Sequence, residues 1–179
     1  MQEDFQKTNL HLGQSIVLIG FMGTGKSTVG KTLSHITDLP FYDTDNLIEC
    51  QEKTSIKNIF SKKGESYFRT LEVNVLKNAL AGKQKILATG GGIVKDPANA
   101  KLIKSNSIAI ALKTDLKTII NRLKSSAKRP LLPNDSFEET LTRLYNERVG
   151  LYDFAHLIVH TDEKTPLEIA REIYDSTLI

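Results

Sequence analysis

Short apolar runs alternate with amphipathic stretches along most of this chain. Ile16-Val17-Leu18-Ile19 is continuously apolar, as a strand buried on both faces requires. Similar runs recur at Leu39-Pro40-Phe41-Tyr42, Lys85-Ile86-Leu87-Ala88, Ser107-Ile108-Ala109-Ile110-Ala111-Leu112 and Leu157-Ile158-Val159. Helical periodicity lies between them. Residues 26–37 place Val29, Leu33 and Ile36 on one face, and residues 64–80 do the same with Phe68, Leu71, Val75 and Leu76. Asp115 is expected to cap a helix running to about residue 127. Ser136-Phe137-Glu138-Glu139 and Thr165-Pro166-Leu167-Glu168 read as capping boxes, the second with proline at the first helical position. Strand followed by helix, five times over, predicts an α/β fold with a parallel sheet and helices on its faces. Residues 1–14 are polar and unpatterned and read as a loose arm, which leaves 15–179 as one domain. Residues 125–135 carry Lys128, Arg129, Pro130, Pro133, Asn134 and Asp135 and read as a mobile lid.

Gly20-Phe21-Met22-Gly23-Thr24-Gly25-Lys26-Ser27 satisfies G-x-x-x-x-G-K-[ST] in full, between a predicted strand and a predicted helix. Glycines let backbone N–H groups converge on phosphate oxygens, and the helix N-terminus adds partial positive charge. Lys26 is placed to reach the β- and γ-phosphates of ATP, and Ser27 to offer a hydroxyl to Mg²⁺. Asp43-Thr44-Asp45 follows the second strand, at the sheet end where ligands bind. Extended backbone would turn both acids to one side. One acid can then hold Mg²⁺ through water while the other orients an attacking hydroxyl or accepts its proton. The competing reading is that Asp45 or Thr44 only caps a helix over residues 46–51. Gly90-Gly91-Gly92 follows the third strand and allows a ligand to approach the backbone closely. Arg129, in the lid, can bring charge to the γ-phosphate on closure. Arg69 and Arg148 taken singly read as solvated or snorkelling side chains, although their guanidinium groups suit a bidentate grip on a carboxylate.

These motifs, in this order, resemble the shikimate kinase family. They are Gly20 through Thr28, Asp43-Thr44-Asp45, Phe68-Arg69-Thr70-Leu71-Glu72, Gly90-Gly91-Gly92, Arg129-Pro130-Leu131-Leu132 and Arg148-x-x-x-Tyr152. The resemblance runs from about Ile16 to the C-terminus. It implies a P-loop kinase of nucleoside-monophosphate-kinase type, a three-layer α/β/α fold with a five-stranded parallel sheet. It implies transfer of the ATP γ-phosphoryl group to the 3-hydroxyl of shikimate. Gly23, Thr24, Gly25, Lys26, Ser27 and Thr28 are carried to ATP, with Ser27 and Asp43 near Mg²⁺. Asp45, Arg69, Gly90, Gly91, Gly92 and Arg148 are carried to shikimate. Lys26, Asp45 and Arg129 take the catalytic roles, Arg122 a place near the adenine, and Pro166 the adenine-side loop. Gly150 departs from the family, which often has proline there, and leaves the backbone after Arg148 less restrained.

Other features narrow the class. The net charge of +3 comes with no basic tail, so a small anionic substrate explains it without nucleic acid. One cysteine, Cys50, excludes a disulfide within the chain, and a cytoplasmic setting follows. Cys50 reads as a partly buried structural thiol. The first residues lack the apolar core of a secretory signal, and no stretch reaches the roughly 18 apolar residues of a membrane span. His156 and His160 bracket a strand about 13 Å apart, too far to share a metal. A monomer is expected. The alternatives are a kinase of another small molecule such as gluconate, and an ATP-binding regulator without activity. Phe68-Arg69-x-x-Glu72 and the three glycines argue against the first, and the retained acids and Arg129 against the second. There is no N-K-x-D guanine signature.

Overall fold

The computed structural model describes residues 13–125 and 136–177. Most of the expected lid, including Arg129, and the first 12 residues of the expected arm lie outside that range. In chain order the elements are β1 (Ser15–Ile19), α1 (Lys26–Thr37), β2 (Phe41–Asp43), α2 (Thr44–Glu52), α3 (Ile56–Leu80), β3 (Ile86–Ala88), α4 (Pro97–Asn106), β4 (Ser107–Lys113), α5 (Leu116–Ser125), α6 (Phe137–Asn146), β5 (Leu157–His160) and α7 (Pro166–Thr177). Short 3₁₀ turns occupy Ile93–Lys95 and Val149–Tyr152.

All five strands are parallel, in the order β2-β3-β1-β4-β5. β1 is central and fully buried, which is why its sequence shows no polar alternation. Its side chains divide between two layers. Val17 and Ile19 join Leu87, Ala109 and Ala111 against residues of α3, α4 and α5. Ile16 and Leu18 join Ile86, Ile108 and Ile110 against α1 and α7. The sheet is therefore covered on both faces. A third cluster, Ile48, Ile59, Phe68, Leu71 and Val75, joins α2 to α3.

The expected strands are all present, with two corrections. The second begins later and ends on Asp43, opposite Ala88 of β3. It and β5 are edges rather than buried strands, and Tyr42 and Ile158 are exposed. The helix expected from Gly64 is the second half of a longer α3, which breaks at Gly64 with φ 80° and ψ 173°. α4, capped by Asp96, was not anticipated. Thr165 and Glu168 form the reciprocal capping box. Ser136 does not: its backbone (φ −131°, ψ 20°) is not in the extended conformation of an N-cap, and its side chain makes no cap hydrogen bond. Among the described residues no helix is long and apolar enough to cross a membrane.

Candidate active site

The loop from Gly20 to Gly25 joins the central strand to α1. Gly25 is the N-cap at φ 94°, a left-handed conformation that a side chain would strain. No side chain caps α1, so its first N–H groups point out of the helix toward any anion seated there. Thr24 Oγ1 donates to the Phe21 carbonyl at 2.9 Å. Lys26 is buried, and its Nζ donates to the carbonyls of Gly20 and Phe21, each at 2.8 Å. Burial pushes its pKa down to about 8, against the attraction of Asp45 and Asp43. Ser27 and Thr28 stand exposed in the first turn.

Asp43 meets this cradle from β2. Ser27 Oγ donates to Asp43 Oδ2 at 2.6 Å, while Asp43 Oδ1 accepts from the Asp45 N–H at 3.0 Å. Asp43 is thus the N-cap of α2, not Thr44 or Asp45. Asp45 lies in the first helical turn, so the two acids converge by a strand-to-helix corner rather than along extended chain. Hydroxyl and carboxylate oxygens in contact are the hard donors that suit Mg²⁺, which takes one or two protein oxygens and completes its shell with water and phosphate. Asp45 is different. Its Oδ1 is buried without a hydrogen-bond partner. Burial, then the charges of Asp43 and Glu72, raise its pKa to about 6, and Lys26 opposes them only in part.

The three glycines run beside these groups. A Cβ on Gly90 would lie 2.7 Å from Asp45 Oδ1, and one on Gly92 would lie 3.0 Å from Arg69 Nη1. Only glycine permits both approaches. The Gly90 N–H donates to Thr44 Oγ1 at 3.2 Å. Arg69 pairs with Glu72 and with Glu65. Arg148 stands over the Phe21 ring at 5.8 Å, and its Nε is buried without a partner. The Arg148 N–H donates to the Tyr145 carbonyl at 3.0 Å, and the Leu151 N–H donates to the Arg148 carbonyl at 2.9 Å.

Two residues quoted only as parts of motifs have structural work. Glu72 is 1% exposed, and burial raises its pKa despite the neighbouring Arg69. Its spacing of three from Arg69 on a helix was the available signal. Tyr152, also buried, donates its phenol to the Gly91 carbonyl at 2.7 Å. No local pattern announces a bond across 61 residues.

On the other side of the cradle, Arg122 reaches from α5. Its Nη1 donates to the Gly23 carbonyl at 3.4 Å and to Thr161 Oγ1 at 3.1 Å, and its Nη2 to the Thr161 carbonyl at 2.9 Å. Pro166 opens α7 just beyond that loop and is exposed. His156 is structural, with Nδ1 accepting from Ala109 N–H at 3.0 Å. Cys50 is exposed, not partly buried, because α2 turns it away from the Ile48 cluster.

The family model for shikimate kinase matches residues 22–177. A shikimate kinase of Sulfurihydrogenibium sp. (strain YO3AOP1) is 41% identical over 160 residues, covering 89% of this chain and 95% of the relative. The solved shikimate kinase from Acinetobacter baumannii in complex with shikimate superposes with a TM-score of 0.85 at 34% identity, covering 90% of this chain and 91% of that one. The shikimate kinase from Aquifex aeolicus does so with a TM-score of 0.76 at 36% identity, covering 90% and 94%. With a complete P-loop, paired acids and a glycine loop flanked by arginines at one end of the sheet, the chain belongs to the shikimate kinase family of phosphotransferases.

Proposed function

We propose that the chain transfers the γ-phosphoryl group of ATP to the 3-hydroxyl of shikimate, forming shikimate 3-phosphate and ADP. The observation that carries this reading is the close approach of the Gly90-Gly91-Gly92 backbone to both Asp45 and Arg69, just past the end of the strand next to the P-loop strand. A carboxylate and a ring hydroxyl on one small substrate need such a site. Arg69 and Arg148 grip the carboxylate, and the unpartnered Nε of Arg148 is a donor waiting for that acceptor. The glycines let the ring lie against backbone N–H groups. Asp45, with a pKa of about 6, is mostly ionised at pH 7 and accepts the hydroxyl proton. The substrate oxygen then bonds to the γ-phosphorus, the bond to the β–γ bridging oxygen breaks, and ADP departs with that electron pair.

Lys26 exchanges its two carbonyl acceptors for phosphate oxygens, which are stronger acceptors because they are charged. Ser27 and Asp43 would hold Mg²⁺, which supplies charge neutralisation at the phosphates. Gly23, Thr24, Gly25 and Thr28 line the phosphate side, and Arg122 and Pro166 the adenine side. Arg129, assigned from its motif, contributes a guanidinium to the transferring group. A monomer is proposed with it, and the single cysteine supports a cytoplasmic setting.

A coupled ADP-release assay with shikimate, quinate, gluconate and nucleoside monophosphates tests the reading. Turnover is expected with shikimate and only background with the others. A higher kcat/KM for gluconate than for shikimate would refute it.

A further inference from the structure

Three N–H groups of the Arg69 guanidinium are already engaged by carboxylates. Its Nη1 donates to Glu72. Its opposite edge, formed by Nε and Nη2, is closed by one oxygen of Glu65, which accepts from Nε at 3.1 Å and from Nη2 at 2.8 Å. That edge is one of the two that a second carboxylate can grip as a fork. The two glutamates are not equivalent. The Glu72 side chain is 2% exposed and that of Glu65 is 56% exposed. Glu72 is locked in the interior, whereas Glu65 can swing into water.

Three further observations fit a carboxylate made to be displaced. Hydrogen bonds and charge from Arg69 hold Glu65 below the usual carboxylate range, and the charges of Lys95 and Arg148 act in the same direction. Glu65 therefore faces the same cations that the proposed substrate carboxylate would meet. It follows the break in α3 at Gly64, so it sits at the start of a helical run, where the helix dipole favours negative charge even after Arg69 is taken away. Its contact is an exposed i,i+4 ion pair, a weak interaction that a ligand can replace.

We propose that Glu65 is an internal stand-in for the substrate's carboxylate, holding the forked edge of Arg69 until an incoming carboxylate displaces it. The inference rests on Arg69 being the substrate grip. Glu65 is then a competitor of the substrate, so its removal strengthens binding. It sets KM for the acid substrate and takes no part in phosphoryl transfer.

The test is steady-state kinetics of Glu65→Gln, Glu65→Asp and Arg69→Lys, with thermal melts to confirm folding. Glu65→Gln is expected to lower KM for shikimate about two- to fivefold, the range an exposed ion pair supplies, with kcat and KM for ATP within twofold of the parent. Glu65→Asp keeps the charge but shortens the reach across one helical turn, and is expected to lower KM similarly. An Asp variant with the parent KM beside a Gln variant with a lowered one would show long-range charge rather than contact, and overturns the stand-in. An unchanged or raised KM in Glu65→Gln overturns it as well. Arg69→Lys separates the two layers of the argument. If it raises KM for shikimate while Glu65→Gln does not lower it, only this inference fails. If Arg69→Lys leaves KM unchanged, the grip itself fails and the stand-in with it.

Discussion

Asp45 is placed where chemistry needs it and where folding does not. Its Oδ1 is buried without a partner, and the charges of Asp43, Glu72 and Glu49 all oppose its ionisation. Asp45→Asn keeps the shape and removes the charge, so it is expected to stabilise the protein while disabling it. The sign follows from the pKa, which rises from its ordinary 3.8 to about 6 on folding. The folded state holds this proton more tightly than the unfolded chain, so the proton's contribution to stability is complete below pH 3.8. It is lost as pH rises through about 6. Relative to a neutral side chain, the folded state is then weaker by about 3 kcal/mol at pH 7, by roughly half of that at pH 5 and by little at pH 4. The attraction of Lys26 is already contained in the raised value. Asp45→Asn should therefore add about 3 kcal/mol at pH 7, or about 6–12 °C in Tm for a chain of this length, and little at pH 4. Urea unfolding at pH 4, 5 and 7 measures the gain. The same variant should lose about 10²-fold or more in kcat. An Asn variant no more stable than the parent at pH 7, or one whose gain is equal at pH 4 and pH 7, would refute the reasoning.

Lys26→Ala should cost on the order of 10²-fold in kcat, because its charge strengthens toward the transition state; near-normal turnover of the purified variant would remove the P-loop from the mechanism. Asp43→Asn should weaken Mg²⁺ binding, so that activity is partly regained as Mg²⁺ is raised, whereas Asp45→Asn should not respond. Equal rescue of both would overturn that division of roles. Arg148→Lys should raise KM for shikimate far more than KM for ATP, since an ammonium cannot reproduce the planar fork; equal increases would indicate a folding or closure defect. Tyr152→Phe leaves the Gly91 carbonyl without its buried donor and should raise KM for shikimate about fivefold, for about 1 kcal/mol, with KM for ATP unmoved. A parent-like shikimate KM would reduce Tyr152 to a core residue.

Local signals were enough for much of the site. The P-loop announces itself because phosphate binding by backbone N–H groups demands glycines at set spacings within eight residues. Arg69 and Glu72 lie one helical turn apart, so their contact is written into their spacing. α4 is hard to read from sequence although Asp96 and Pro97 form a cap and first-turn signal, because Pro97 to Asn106 buries only Asn99 and Ile103 and shows little apolar periodicity. The first half of α3 is equally hard to see, because Gly64 reads as a helix start, and the break there hides the run before it.

By itself, the sequence determined the parallel α/β class, the position of the phosphate cradle and the identity of most polar groups around it. Each of those rests on interactions within a few residues or on the apolar character of a run. The tertiary structure alone decided which strand is central, since the register joins residues as distant as Ile16 and Ile86. It decided that Asp43 binds Ser27 and caps α2, while Asp45 is left buried and unpaired. It also decided that Tyr152 steadies Gly91. The physical reason is common to all of these. Burial and charge at a site are sums over neighbours brought together from distant parts of the chain, and no window of sequence contains those neighbours.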